Sequence, residues 1–152
     1  MIQRKQTIFL LIAIILTVVC LCQPLGTFTA ESTLGAKQNM YNLWIVTLNN
    51  GYDNSIWALF AILLLTCPIA LIAIFMFHNR IAQARFCMFN MLLIIGWHIV
   101  YAVFAINLQD VYGKFSLSYA SVLPLVSFIL YFIARKAILA DEALVRAADR
   151  IR

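Results

Sequence analysis

One ionisable side chain, His98, lies near the centre of the run 86–107, which holds no Lys, Arg, Asp or Glu. An imidazole in so apolar a setting suits two chemistries: it can relay a proton, or it can ligate a haem iron. At helical spacing Asn90, Trp97 and Tyr101 fall within about 40° of one another, with His98 at the edge of that stripe. His98 and Tyr101 are therefore the candidate cofactor contacts of a redox or proton-relay subunit. The same run offers no second histidine. His78 sits at a boundary between apolar runs, and Met88 and Met91 lie well before His98 in the sequence. The plainer expectation is a neutral imidazole hydrogen-bonded across helices, which contributes about 0.6–2 kcal/mol, with no bound cofactor.

The receivers of that stripe can be named. Ala120, Pro124, Ser127 and Tyr131 share a helical face about 60° wide, and Thr66 and Cys67 precede Pro68. We expect Asn90, Trp97, His98, Tyr101, Ser127 and Tyr131 to make polar contacts inside a helix bundle. Pro68 and Pro124 each lack a backbone donor and are expected to kink their helices, which makes either a packing feature or a gate for a lipid or transported molecule.

The four cysteines are Cys20, Cys22, Cys67 and Cys87. Two positions apart on a helix, Cys20 and Cys22 point in different directions and suit neither a shared metal nor a mutual disulfide. There is no C-x-x-C, no G-x-S-x-G and no phosphate-binding glycine loop, and the cysteines read as small apolar residues. Nothing in the spacing of Glu31, Asp53 and Asp110 suggests an acid–base pair. The expectation is a protein that is not an enzyme, with neither metal nor cofactor.

The elements that must position these residues follow from composition. Hydrophobic residues make up 64% of the 152 residues and charged ones 11%, far from the balance of a soluble domain. A bilayer core needs about 20 mostly apolar residues per helix. Four uncharged runs of that order occur, at about 8–25, 55–77, 86–107 and 115–134. They lack the strict alternation of barrel strands, so the expected fold is an all-α, four-helix membrane bundle. A basic start followed by the run 8–25 also fits a signal peptide, but no small-x-small cleavage site follows it, so the run is read as an uncleaved span. Ala13-x-x-x-Thr17 and Thr66-x-x-x-Ala70 are the clear small-residue pairs for close helix contact.

Four spans put both termini on one side. That side holds Arg4, Lys5, Arg80, Arg85, Arg135, Lys136, Arg146, Arg150 and Arg152; the other holds Lys37 and Lys114. Short loops rich in Lys and Arg stay cytoplasmic, so both termini are expected in the cytoplasm. The formal charge of +5 is then an orientation signal. It carries none of the aromatic interleaving of a nucleic-acid groove.

Residues 26–54 form an outer loop with turn chemistry at Gly35 and around Gly51. Within it, 40–48 is rich in Tyr, Trp, Ile, Val and Thr and is open between a strand of a small sheet, such as a short hairpin, and an interfacial segment. Residues 78–85 read as a tight cytoplasmic turn and 108–114 as a short outer one. The tail 135–152 reads as an amphipathic cytoplasmic helix: with Ile138 as the zero of the wheel, Leu139, Ala140, Ala143, Leu144, Ala147, Ala148 and Ile151 fall on one half, and Asp141, Glu142, Arg146, Asp149 and Arg152 fall on the other, which Val145 shares. Its apolar half is mostly alanine, too slight for strong membrane insertion, so docking onto the 78–85 turn or onto a partner is expected. Asp141, Glu142, Arg146, Asp149 and Arg150 are the candidate contact residues.

The ends of the chain carry a resemblance. The opening Met1-Ile2-Gln3-Arg4-Lys5-Gln6-Thr7, the run to Gln23-Pro24-Leu25-Gly26, and the tail from Arg135-Lys136-Ala137-Ile138 through Asp149-Arg150-Ile151-Arg152 resemble an uncharacterised bacterial membrane family, domain of unknown function 4293. The resemblance spans the whole chain. It implies a bacterial inner-membrane protein with four helices and cytoplasmic termini, and it implies no activity and no functional residues. Beyond the lipid bilayer, the expected partner is another membrane or cytoplasmic protein, and the leading expectation is an accessory or scaffold subunit of a membrane complex. The alternatives are the His98–Tyr101 relay and a small lipid-binding or transport protein acting as an oligomer.

Overall fold

In the computed structural model, described for residues 3–29, 36–49, 51–76 and 78–149, the chain is mostly helical with a small sheet at one end. Four long helices, α1 (Gln3–Cys22), α2 (Trp57–Phe75), α3 (Arg80–Asn107) and α5 (Leu123–Asp149), pack side by side. They form a ring in which α1 touches α2 and α5, and α3 touches α2 and α5. Three apolar stretches are long enough to cross a membrane: Trp57–Phe75, Arg80–Tyr112 and Tyr119–Ala148; that of α1, Gln6–Cys22, is shorter. Outward-facing positions are apolar, as Ile8, Leu11, Ile15, Leu64, Ile99 and Phe132 show, and this fits a membrane protein.

Small residues set the helix spacing. Ala13, Thr17, Thr66, Ala70, Ala73, Ala84 and Ala134 are all buried, which lets backbones approach closely. Both small-residue pairs read from the sequence face inward. Thr17 and Thr66 return their hydroxyl protons to carbonyls of their own helices, Ala13 at 2.7 Å and Leu63 at 2.6 Å, so neither leaves a donor unpaired.

The sheet is five-stranded and antiparallel, where the sequence left open a small sheet, such as a short hairpin, or an interfacial segment. β1 (Gly26–Thr29), β2 (Lys37–Met40), β3 (Ile45–Val46), β4 (Tyr52–Asp53) and β5 (Lys114–Leu117) lie in the order β4-β3-β2-β1-β5. The 40–48 segment resolves into the end of β2, a turn closed by Tyr41 N–H to the Trp44 carbonyl at 2.8 Å, and β3. β5 pairs with β1 from Gly26↔Leu117 to Thr29↔Lys114. This joins the strand after α1 to the strand before α5, across two intervening long helices and the short α4. Gly26 permits the pairing, because a Cβ there would lie 2.3 Å from the Phe115 ring. Gly113, at φ 94°, turns the chain from the short helix α4 (Gln109–Tyr112) into β5.

Two boundaries differ from expectation. The fourth apolar run does not enter its helix at 115: β5 and a 3₁₀ turn, Tyr119–Val122, come first, and α5 starts at Leu123. Serines at 116, 118 and 121 compete for backbone hydrogen bonds and favour that extended and turn geometry; Ser121 Oγ donates to the Ser118 carbonyl at 2.8 Å. Pro124 consequently lies in the first turn of α5, where a missing N–H breaks no helical bond, so it is not the mid-helix kink expected. The turn placed at 78–85 is shorter, because α3 begins at Arg80, capped by the Asn79 side chain accepting from Ala82 N–H at 3.2 Å.

Candidate functional site

The buried face of α3 runs through Gln83, Cys87, Asn90, Met91, Ile94, Trp97, Tyr101 and Ala105. The stripe read from the sequence is therefore the core face of this helix, and its two ends do different things.

At the sheet end, Trp97 and Tyr101 lie stacked, centroids 5.2 Å apart and planes 8° from parallel. Trp97 Nε1 donates to Asn42 Oδ1 at 3.2 Å, and Asn42 Nδ2 donates to the Cys20 carbonyl at 2.8 Å. Asn42 is fully buried, so one amide ties the β2–β3 turn to both α3 and the end of α1. Tyr101 Oη donates to the Leu25 carbonyl at 2.9 Å, and its ring meets Phe115 edge-on at 6.1 Å. Around the rim, Tyr112 Oη donates to Asp53 Oδ2 at 2.6 Å and Tyr119 Oη to Gln23 Oε1 at 3.1 Å. The Tyr112 hydroxyl, aided by the Ser55 backbone N–H, holds the Asp53 carboxyl below its usual range. These groups position the sheet on the bundle.

His98 is not part of that network. Its Nδ1 lies 2.8 Å from the Ile94 carbonyl on its own helix, and the ring sits edge-on to Trp97 at 5.0 Å. The cross-helix bond expected of it is replaced by this local one, because His98, one residue past Trp97, turns about 100° away from the core. It is half-buried and opens on a groove between α3 and α5. Tyr101 is committed to the sheet, so the structure does not bring the two together as one relay. Met88 is exposed on the far side of α3.

In the tail-side half of the bundle, the polar groups are differently placed. Asn90 and Tyr131 are fully buried, yet neither the Asn90 amide nor the Tyr131 hydroxyl has a hydrogen-bond partner among the described residues. They are neighbours, with Cys67 and Cys87 also near the phenol. Arg135, one turn beyond Tyr131, has a buried Nε in the same condition and lies close to Cys87. Buried polar groups are normally paired, so this cluster stands out. Ser127, expected to face α3, instead donates to the Ala13 carbonyl of α1 and to the Leu123 carbonyl, both at 3.2 Å. Pro68 lies eleven residues into α2, about 16 Å along the axis from its start, whereas Pro124 is at the sheet end of α5. The two prolines do not share one level of the bundle.

The tail continues α5 without a break to Asp149. Asp141, assigned to the outward face from the sequence, is buried and accepts from Gln6 Nε2 at 2.5 Å. It follows Ile138 by three residues and so falls on the same stripe, which packs along α1. Past that clamp the helix stands clear of the bundle: every described side chain from 143 to 148 is exposed, Leu144 among them. Docking onto the 78–85 segment is thus limited to the earlier part of the tail, where Ile138 shares a core cluster with Ala84. Glu142 and Arg146 form an i,i+4 ion pair at 3.0 Å. The side chain of Asp149 and all of Arg150 and Arg152 lie outside the described residues.

The cysteines are all free, Cys20 and Cys87 buried and Cys22 exposed. No group of three or more His, Cys, Asp or Glu side chains that could hold a metal occurs among the described residues. Sequence reasoning missed Asn42, Gln6 and Arg135. Asn42 carried a signal only in hindsight, as an amide inside an apolar outer segment, and Gln6 as an uncharged polar residue opening an apolar run.

No curated protein matches the chain. The family described as domain of unknown function (DUF4293) matches residues 2–151. Matched over almost its whole length, the chain belongs to that family.

Proposed function

We propose that this protein is a non-enzymatic accessory or scaffold subunit of a bacterial inner-membrane complex, crossing the membrane four times with both termini in the cytoplasm. The nine-to-two split of basic residues favours that orientation. The geometry of α1 supports its role as a span: twenty residues reach about 30 Å, and it packs against both α2 and α5. The sheet then lies on the outer side.

The observation that carries the reading is the free end of α5. The helix is tied to α1 by Gln6 at Asp141, and beyond that point it presents Leu144 and Val145, both exposed among the described residues, beside a charged pair. A projecting, clamped helix with a mixed apolar and charged surface is suited to helix-in-groove contact with a second protein. Truncation of 146–152 tests this. The shortened chain is expected to insert normally and to lose co-purification with its complex. Full retention of the associated polypeptides by the truncated chain would overturn the proposal.

A further inference from the structure

His98 stands beside a groove between α3 and α5 of about 380 Å³, walled by Ile95, Ile99 and Ala102 on one side and Leu125 and Phe128 on the other. That volume lies in the range of small-molecule sites. The walls are apolar, and His98 contributes their one ring nitrogen free to bond outward. Its bonding is fixed by its neighbour. A carbonyl oxygen only accepts, so the Nδ1 held 2.8 Å from the Ile94 carbonyl carries the proton. In the neutral ring Nε2 is then left with a lone pair and no hydrogen. The groove therefore offers a single hydrogen-bond acceptor and asks for a donor on an otherwise apolar body.

Depth narrows the class further, on the membrane topology proposed above. Nine residues separate His98 from the end of α3 at Asn107, which is about 14 Å along the axis and well inside the hydrocarbon layer. Glycerol-based lipids carry their hydroxyls and headgroups at the interface, too shallow to reach Nε2. A membrane-soluble quinol carries a hydroxyl-bearing ring on an isoprenoid tail and can place that ring in the hydrocarbon. Phe128 adds an aromatic wall for such a ring. We propose that the α3–α5 groove is a binding site for the reduced, quinol form of an isoprenoid quinone, with the ring hydroxyl donating to His98 Nε2. The oxidised quinone has only acceptors at the ring carbonyls and meets a lone pair there, so the site discriminates between the two forms. No electron transfer is implied, and the accessory role proposed above does not depend on it.

The test uses the full chain in lipid nanodiscs and a tritiated benzoquinol with two isoprene units, kept reduced by dithionite, alongside the same molecule oxidised. Binding above that of empty nanodiscs is measured for both. The reduced form is expected to bind about tenfold more tightly, the equivalent of one net hydrogen bond. In His98→Phe the preference should fall to within about twofold, and Ile99→Trp, which fills the groove, should remove saturable binding of both forms. Thermal unfolding of each variant confirms that the fold is kept. Equal affinities for the two forms, a preference that survives His98→Phe, or equally tight binding of the isoprenoid alcohol of the same tail would overturn the assignment. Failure of the chain to insert at all would instead contradict the membrane topology, so the two are separable.

Discussion

The two halves of the bundle solve the same problem in opposite ways. Both contain an aromatic hydroxyl or indole and a buried asparagine on or against α3. At the sheet end Trp97, Tyr101 and Asn42 satisfy one another and the backbone of α1 and its following strand. On the tail side the Asn90 amide, the Tyr131 hydroxyl and the Nε of Arg135 make no close hydrogen bond among the described residues. Gln38 Oε1 is the exception at the sheet end. An unpaired buried polar group costs about 1–3 kcal/mol, while a paired one adds about 1 kcal/mol. The sheet end is therefore built for rigidity. The tail-side half leaves buried polar groups without a close hydrogen bond among the described residues, and it is also the half from which the free helix emerges.

Breaking the sheet end should have the largest consequence. Trp97→Ala removes a fully buried indole, its stacking on Tyr101 and its bond to Asn42. A loss of about 3–5 kcal/mol is expected, read as a large fall in thermal midpoint in detergent together with faster proteolysis between β2 and β4.

The asparagines give a sharper contrast at smaller size. Asn42→Ala leaves the Trp97 donor unpaired and takes from the Cys20 carbonyl its shorter hydrogen bond, leaving only that from Gln23 N–H at 3.4 Å, and should destabilise by about 1–3 kcal/mol. Asn90→Leu removes an amide that has the Tyr131 hydroxyl as a neighbour but makes no close hydrogen bond among the described residues, and should leave stability unchanged or raise it by on the order of 1 kcal/mol. Equal losses in the two thermal midpoints would erase the distinction between the halves.

These contrasts show where sequence reasoning succeeds and where it stops. The stripe Asn90–Trp97–Tyr101 was legible because helical spacing alone sets which residues share a face, and all three are buried. What each touches was not, since Asn42 and Leu25 reach the stripe only through a sheet whose strands come from both ends of the chain. The Phe115 run was misplaced because a short apolar segment looks alike as strand or helix; an available partner strand decided it. Asp141 was legible in principle, three residues past Ile138, but its burial depends on Gln6, which is 135 positions away.

The smallest expected effect is electrostatic. The folded pKa of Asp53 is lowered from 3.8, first by Tyr112 and then by Ser55. Its stabilising contribution is complete above the unfolded pKa and is lost as pH falls through the folded value, so the β4–α4 contact should loosen below about pH 4. The carboxylate is only half-buried, so solvent screens the effect and keeps it small. Trp44, stacked edge-on to Tyr52 at 5.8 Å, reports it by fluorescence, and the acid step should vanish in Tyr112→Phe.

Hydrogen exchange, read by mass spectrometry, tests the central contrast most directly. The protein would be compared in two settings: purified in nanodiscs and in its native membrane vesicles. Amides in 37–46 should be protected in both. Those in 143–149 should exchange among the fastest of any helical segment in nanodiscs and become protected in native vesicles, where the complex is present. Equally fast exchange of 143–149 in both settings, or exchange at 37–46 as fast as at the tail, would contradict a rigid sheet end joined to a helix end that binds a partner.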